Sequence, residues 1–161
     1  MPLNPKVLED ELIKQSENAA AGMDIGYSDF VLAMEKYANQ IQYPPPAGVA
    51  PAAKILKSVL ESIPSNPPLP IAVPILKAAV QLFALGIMMG APIGTGLVFP
   101  TTPPAGQPAI DSILSQPNDV KVVAKQLSIA IHTYMITGTF DAFGVPPSGP
   151  GTPIPGYTPW T

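Results

Sequence analysis

A mainly α-helical fold follows from three features of this 161-residue chain. Apolar residues recur with helical period in four separate stretches, and a fifth is apolar nearly all round. The 23 prolines and 13 glycines, roughly double their usual combined share of about 12%, cut those stretches apart. Hydrophobic residues reach 47% while charged ones stop at 12%, which demands a buried core and excludes a disordered polymer. The expected architecture is a small helical bundle of four or five helices, with long Pro/Gly-rich loops and an extended C-terminal arm. Residues 1–143 form the helical domain and 144–161 the Pro-rich arm, which suits a chain of single-domain length.

The first helix is signalled by Asn4 as cap, Pro5 at the first helical position and Glu9 to Glu11 near the positive end of the dipole. Leu3 and Leu8 stand at the spacing of a hydrophobic staple. The helix should run to about Ala21 along the surface, burying Leu8, Leu12 and Ala19, with Gly22 as its stop. Ser28 caps the second helix, where Phe30, Val31, Met34, Tyr37, Ala38 and Ile41 share a face until Pro44. The third covers Pro51 to Ile63, with Ala52, Ile55, Leu56, Val59, Leu60 and Ile63 on its stripe. Ser65 to Pro70 reads as a polyproline linker, because residues before proline avoid helical angles.

The fourth helix, from about Val73 to Met89, is apolar nearly all round and is therefore expected at the centre. Gly90 to Gln107 reads as loop with a short strand at Gly96 to Phe99, and Pro108 to Ser115 as a short helix. Asn118 caps the last helix, which runs to about Ile136 and whose stripe is Val120, Val123, Leu127, Ala130, Ile131 and Tyr134. The tail then sets Phe140, Phe143, Ile154, Tyr157 and Trp160 among six prolines. Such an aromatic-bearing, proline-stiffened segment suits an arm laid on another surface, and these five residues are the expected partner contacts.

Charge narrows the partners. All eight basic residues are Lys and the net charge is −3, which argues against nucleic acid. Seven of the eleven acids fall within residues 1–36, leaving the remainder almost uncharged, as suits a surface covered by neighbours. Without cysteine there are no disulfides, thiolate metal sites or Cys nucleophiles. The opening residues lack the basic start and apolar run of a secretory signal, so synthesis in the cytoplasm is expected. Ala78 to Phe99 carries no charge over 22 residues and is the one candidate for membrane association. Its four glycines and Pro92 interrupt a spanning helix, which argues against the membrane.

Catalytic chemistry finds little footing. His132, the single histidine, has neither acid nor nucleophile at helical spacing and is expected at an exposed or interfacial position. Glu9, Asp10, Glu11 and Glu17 read as a solvated helix face. Gly90 to Gly96 lacks the Gly-Lys-Ser/Thr ending of a phosphate loop, and Met88-Met89 reads as core filling. No enzyme, cofactor or metal is expected.

The opening Met1-Pro2-Leu3-Asn4-Pro5-Lys6-Val7-Leu8, the run from Ala130 to Phe140 and the Gly/Pro tail resemble small structural proteins of tailed bacteriophages and related contractile particles. The resemblance covers the two ends; the Pro44 to Pro70 interior is longer than its pattern. It implies a non-enzymatic virion protein of the tail, baseplate or neck, made in the host cytoplasm. Its partners would be other virion structural proteins and copies of itself, as a homo-oligomer within the particle. The alternative is a membrane-active or membrane-associated protein acting through 78–99.

Overall fold

The structure, a computed structural model, describes residues 3–21, 27–40, 48–64, 68–89, 97–98, 101–102, 104–115, 119–140 and 143–144. Among them are six helices: α1 (Pro5–Ala20), α2 (Tyr27–Ala38), α3 (Val49–Leu60), α4 (Leu69–Met89), α5 (Asp111–Ser115) and α6 (Val120–Met135). The mainly helical expectation holds, and the short helix expected at Pro108 to Ser115 appears as α5, which brings the helices among the described residues to six against the four or five anticipated. The helices pack as a series, α6 on α1, α1 on α2, α2 on α3 and α3 on α4, while α5 touches both α4 and α6 and closes the ring.

Local chemistry sets the ends. Asn4 Oδ1 accepts the Lys6 amide at 2.9 Å with Pro5 at the first helical position, and Leu3 and Leu8 are both buried. Ala19, expected inside, is exposed; Leu8 alone carries α1 fully into the core. α2 begins at Tyr27, so Ser28 lies within its first turn and does not cap it. Of its expected stripe Val31, Met34, Tyr37 and Ala38 are buried and Phe30 half-buried, and Ala33 joins them. On α6 the cap is Asp119, which accepts the Lys121 amide at 2.8 Å, in place of Asn118. The buried residues of α6 are Ala124, Leu127, Ser128, Ile131, Tyr134 and Met135, and Val120 is exposed. This face is turned about one residue from the expected stripe and brings Ser128 inward.

Two expectations about α4 fail. It starts at Leu69, with Pro70 at the second position, where its missing N–H costs nothing, and with Pro74 inside. The polyproline linker is thus shortened at its end. Nor is α4 central. Val73, Ala79, Val80, Phe83, Ala84 and Ile87 face α3 and the core, whereas Ile71, Leu82 and Leu85 are exposed. Gly86 lies within the helix without breaking it, and a Cβ placed there would fall 2.8 Å from Ala52 Cβ and 3.0 Å from Ala52 Cα. The two helices meet over a glycine and an alanine.

The expected strand at Gly96 to Phe99 appears as β1 (Leu97–Val98), paired antiparallel with β4 (Phe143–Gly144). A second pair joins β2 (Thr101–Thr102) to β3 (Thr139–Phe140). Both share one register, Leu97 opposite Gly144 and Thr102 opposite Thr139. The segments that follow α4 and α6 are thereby tied side by side.

The α3–α4 contact is open to test. Gly86→Leu should lower stability by about 1–3 kcal/mol through overpacking, despite leucine's better helix propensity. Adding Ala52→Gly should recover part of the loss. Urea unfolding followed by the helical circular dichroism signal measures both, and an unchanged midpoint for Gly86→Leu would contradict the close approach.

Candidate interaction surface

Exposed apolar side chains line the outer side of α4. Ile71, Pro74, Ala78, Leu82 and Leu85 are all exposed and follow one another by three or four residues, so they form one continuous apolar ridge. Ile71, Leu82 and Leu85 are 48%, 41% and 42% exposed, far beyond what a covered helix face allows. Ile55, on the expected inward stripe of α3, is instead 39% exposed and borders Gly86, where it widens the ridge. The one ionic side chain of α4, Lys77, is held by Asp111 at 2.5 Å, which keeps the Asp111 carboxyl below the usual carboxylate range. A groove of about 280 Å³ opens beside the ridge between α4 and α5, with Leu69, Pro70, Val73 and Pro74 on one wall and Asp111 and Ser115 on the other.

A second cleft, about 310 Å³, lies between the 104–110 segment and α6, where the Ala105 amide donates to Thr137 Oγ1 at 3.0 Å. Ala109, Thr133 and Tyr134 line it, and it holds no charged side chain.

Of the five expected contact residues, Phe140 lies in β3 and Phe143 in β4, which places the start of the arm against β1. Ile154, Tyr157 and Trp160 lie outside the described residues, as do Ile41, Gly22 and the Gly90 to Gly96 loop. The ridge on α4 was missed by the sequence reading, because a helix apolar all round gives no periodic signal for which side is left uncovered.

His132, expected at an exposed or interfacial position, has a partner that helical spacing does not reveal. It is half-buried, and the hydroxyl of Tyr37, fully buried on α2, shares a hydrogen bond with His132 Nδ1 at 2.8 Å. The rings meet edge to face with centroids 6.1 Å apart. The partner comes from 95 residues away, beyond the reach of any i±3 or i±4 argument. Burial pushes the Tyr37 phenol well above its ordinary range and the His132 imidazole below its own. Both are neutral near pH 7, so the bond joins an uncharged phenol to an uncharged imidazole. The acids of α1 are also more engaged than a solvated face implies: Glu11 pairs with Lys36 of α2 at 2.8 Å and Glu17 stands 3.8 Å from Lys121 of α6. Among the described residues no group of three His, Asp or Glu side chains is placed to hold a metal ion.

No family model, no curated protein and no solved structure matches the chain.

The Tyr37–His132 bond predicts a pH profile. An imidazole with a lowered folded-state pKa binds fewer protons folded than unfolded, so its contribution is complete above about pH 6.5 and is lost on acidification below that value. The raised Tyr37 pKa works at the other end, and its contribution is lost above about pH 10. His132→Ala should cost about 1–3 kcal/mol, since it leaves a buried hydroxyl without its hydrogen-bond partner, and Tyr37→Phe should cost less. Unfolding midpoints between pH 5 and 8 test this. An acid slope equal in wild type and His132→Gln would contradict the assignment.

Proposed function

We propose that the chain is a non-enzymatic structural and assembly protein of a bacteriophage virion, belonging to the tail, baseplate or neck. It binds neighbouring subunits through exposed helix faces and through the Pro/aromatic arm, whose contacts are Phe140, Phe143, Ile154, Tyr157 and Trp160. The observation that carries this reading is the uncovered apolar ridge from Ile71 to Leu85. Exposed leucine and isoleucine in one line favour association with another apolar surface, at about 25 cal/mol for each Å² withdrawn from water. The resemblance of both chain ends to small virion proteins supports the same reading. The low charge beyond residue 36 fits a surface enclosed by neighbours. The pairing of β4 with β1 supports an arm that leaves the bundle at Gly144, next to the segment following α4.

A second reading is favoured by one observation. Leu69–Ile87 is long and apolar enough to cross a membrane, with a mean hydropathy of 1.8, so the membrane alternative, first framed on 78–99, moves to 69–87. Against it stands the inner half of the same helix, where Val80, Phe83 and Ile87 are fully buried in the protein's own core.

Two measurements separate the readings. A chain ending at Gly144 keeps β4, and it should retain its helical signal and melting temperature while losing co-purification with the particle. Unchanged incorporation would reject the arm. The full chain should stay at the bottom of a flotation gradient with phosphatidylcholine vesicles, and flotation with lipid alone would favour the membrane reading.

A further inference from the structure

We propose that the groove between the 104–110 segment and α6 is the seat of this chain's own arm, residues 145–161, taken up as a polyproline II helix with Tyr157 and Trp160 on its inner edge. The contact belongs to the isolated chain and goes beyond the assembly reading, where the same residues meet neighbouring subunits. Ala130, Thr133, Tyr134 and Thr137 line one wall of the groove, at the steps of a single helical face, over about 10 Å. Alternate residues Ala105, Gln107 and Ala109 line the other. At one end the Ala105 amide donates to Thr137 Oγ1 at 3.0 Å and the Thr137 hydroxyl donates to the Tyr134 carbonyl at 2.7 Å, which ties wall to wall. A volume of about 310 Å³ lies at the small end for ligand sites and suits one or two large side chains better than a nucleotide-sized molecule. Its alanine methyls and Tyr134 ring stand beside the Gln107 amide and the Thr133 hydroxyl. A polyproline II segment calls for that mixture: an aromatic surface for its rings, and donors for carbonyls that have no partner within their own helix.

The arm's sequence carries the matching period. Ile154, Tyr157 and Trp160 stand three residues apart, and polyproline II has three residues per turn, so all three fall along one edge at intervals of about 9 Å. A strand would instead put Tyr157 on the face opposite the other two. Pro153, Pro155 and Pro159 fix their own φ, and Thr152, Ile154 and Thr158, each before a proline, are held to extended angles. Only Gly156 and Tyr157 are left without such a restraint between residues 152 and 159. One turn of this helix, from Tyr157 to Trp160, spans about 9 Å and fits the length of the groove.

Reach and tethering select this chain's own arm over other occupants. Thr137 lines the groove and Gly144 follows it by seven residues, so the arm starts within about 25 Å of its seat. The thirteen residues from Gly144 to Tyr157 cover up to about 43 Å, and Gly149 and Gly151 let the backbone reverse on the way. A single turn buries far less than the ~1,200 Å² of a standard stable interface, so a free segment would not stay bound. The tether holds the arm at an effective concentration on the order of millimolar, which a second copy in dilute solution does not reach. A contact this weak adds little to the thermal melt and yields the arm to a neighbouring subunit.

Trp160 is the single tryptophan of the chain, so its fluorescence reports on the arm alone. In the full chain its quenching constant with acrylamide should be at least about twofold below that of N-acetyltryptophanamide, and equal at about 1 and 100 μM protein, as a tethered contact requires. Thr133→Glu and Ala109→Glu, both at exposed positions on the groove, should each raise quenching towards the free value with the helical circular dichroism signal unchanged. Quenching of the full chain equal to that of the free compound would overturn the proposal. So would protection that both substitutions leave intact, which would place the arm elsewhere, or protection that appears only at the higher concentration, which would make the seat that of a second copy. All of these readings are taken on the isolated chain, so a free arm rejects the groove as its seat and leaves the assembly reading to stand or fall on incorporation into the particle.

Discussion

The close meeting of α3 and α4 at Ala52 and Gly86 governs how this chain hides its apolar surface. With a Cβ at position 86 the two helices would collide, so the glycine lets the inner side of α4 seat Val80, Phe83 and Ile87 in the core. Among the described residues α3 is the one helix packed along it, and a helix apolar on every side is not covered by one neighbour. The outer ridge is what that packing leaves. Its exposure follows from the same geometry that stabilises the bundle.

The other elements fix where that ridge stands. α5 sits between α4 and α6, and its Asp111 removes the single charge of α4 from solvent. The two short ladders hold the segments after α4 and α6 in one register, so the chain leaves the bundle at Gly144 beside Leu97. Buried polar groups are few and matched: the Tyr37 hydroxyl finds His132, and the Ser128 hydroxyl donates to the Lys125 carbonyl at 2.8 Å within its own helix. An apolar, proline-divided chain with so little charge thus ties α1 to α2 and to α6 by ion pairs, holds the one charge of α4 against α5, and leaves the Ile71 to Leu85 ridge without ionic residues.

Much of the helical framework could be read from local chemistry. Asn4, Pro5, Leu3 and Leu8 marked the start of α1, and the α2 stripe through Met34 and Tyr37 marked its buried face. These signals are strong because capping and amphipathic period act within a few residues. The reading failed where the deciding partner is distant in sequence. Leu82 and Leu85 look like core residues until the packing shows that nothing described lies over them, and His132 looks solitary until Tyr37 is brought to it from α2. Pro70 misled for another reason, since a proline in the first turn of a helix is tolerated where the first amides lack acceptors anyway, whereas Pro74 lies inside α4. The expected arm contacts at Ile154, Tyr157 and Trp160 lie outside the described residues, so the ridge, which periodicity could not reveal, became the candidate site.

The central claim is that the outer face of α4 is a protein-binding surface, and hydroxyl-radical footprinting measures its covering directly. Labelling of Ile71, Leu82 and Leu85 would be compared between the isolated chain at low concentration and the chain within the particle. The account predicts ready labelling of all three in isolation and strong protection in the assembly, with exposed positions on α6 such as Val122 and Ile129 as the reference. Equal labelling of the ridge in both states would contradict it.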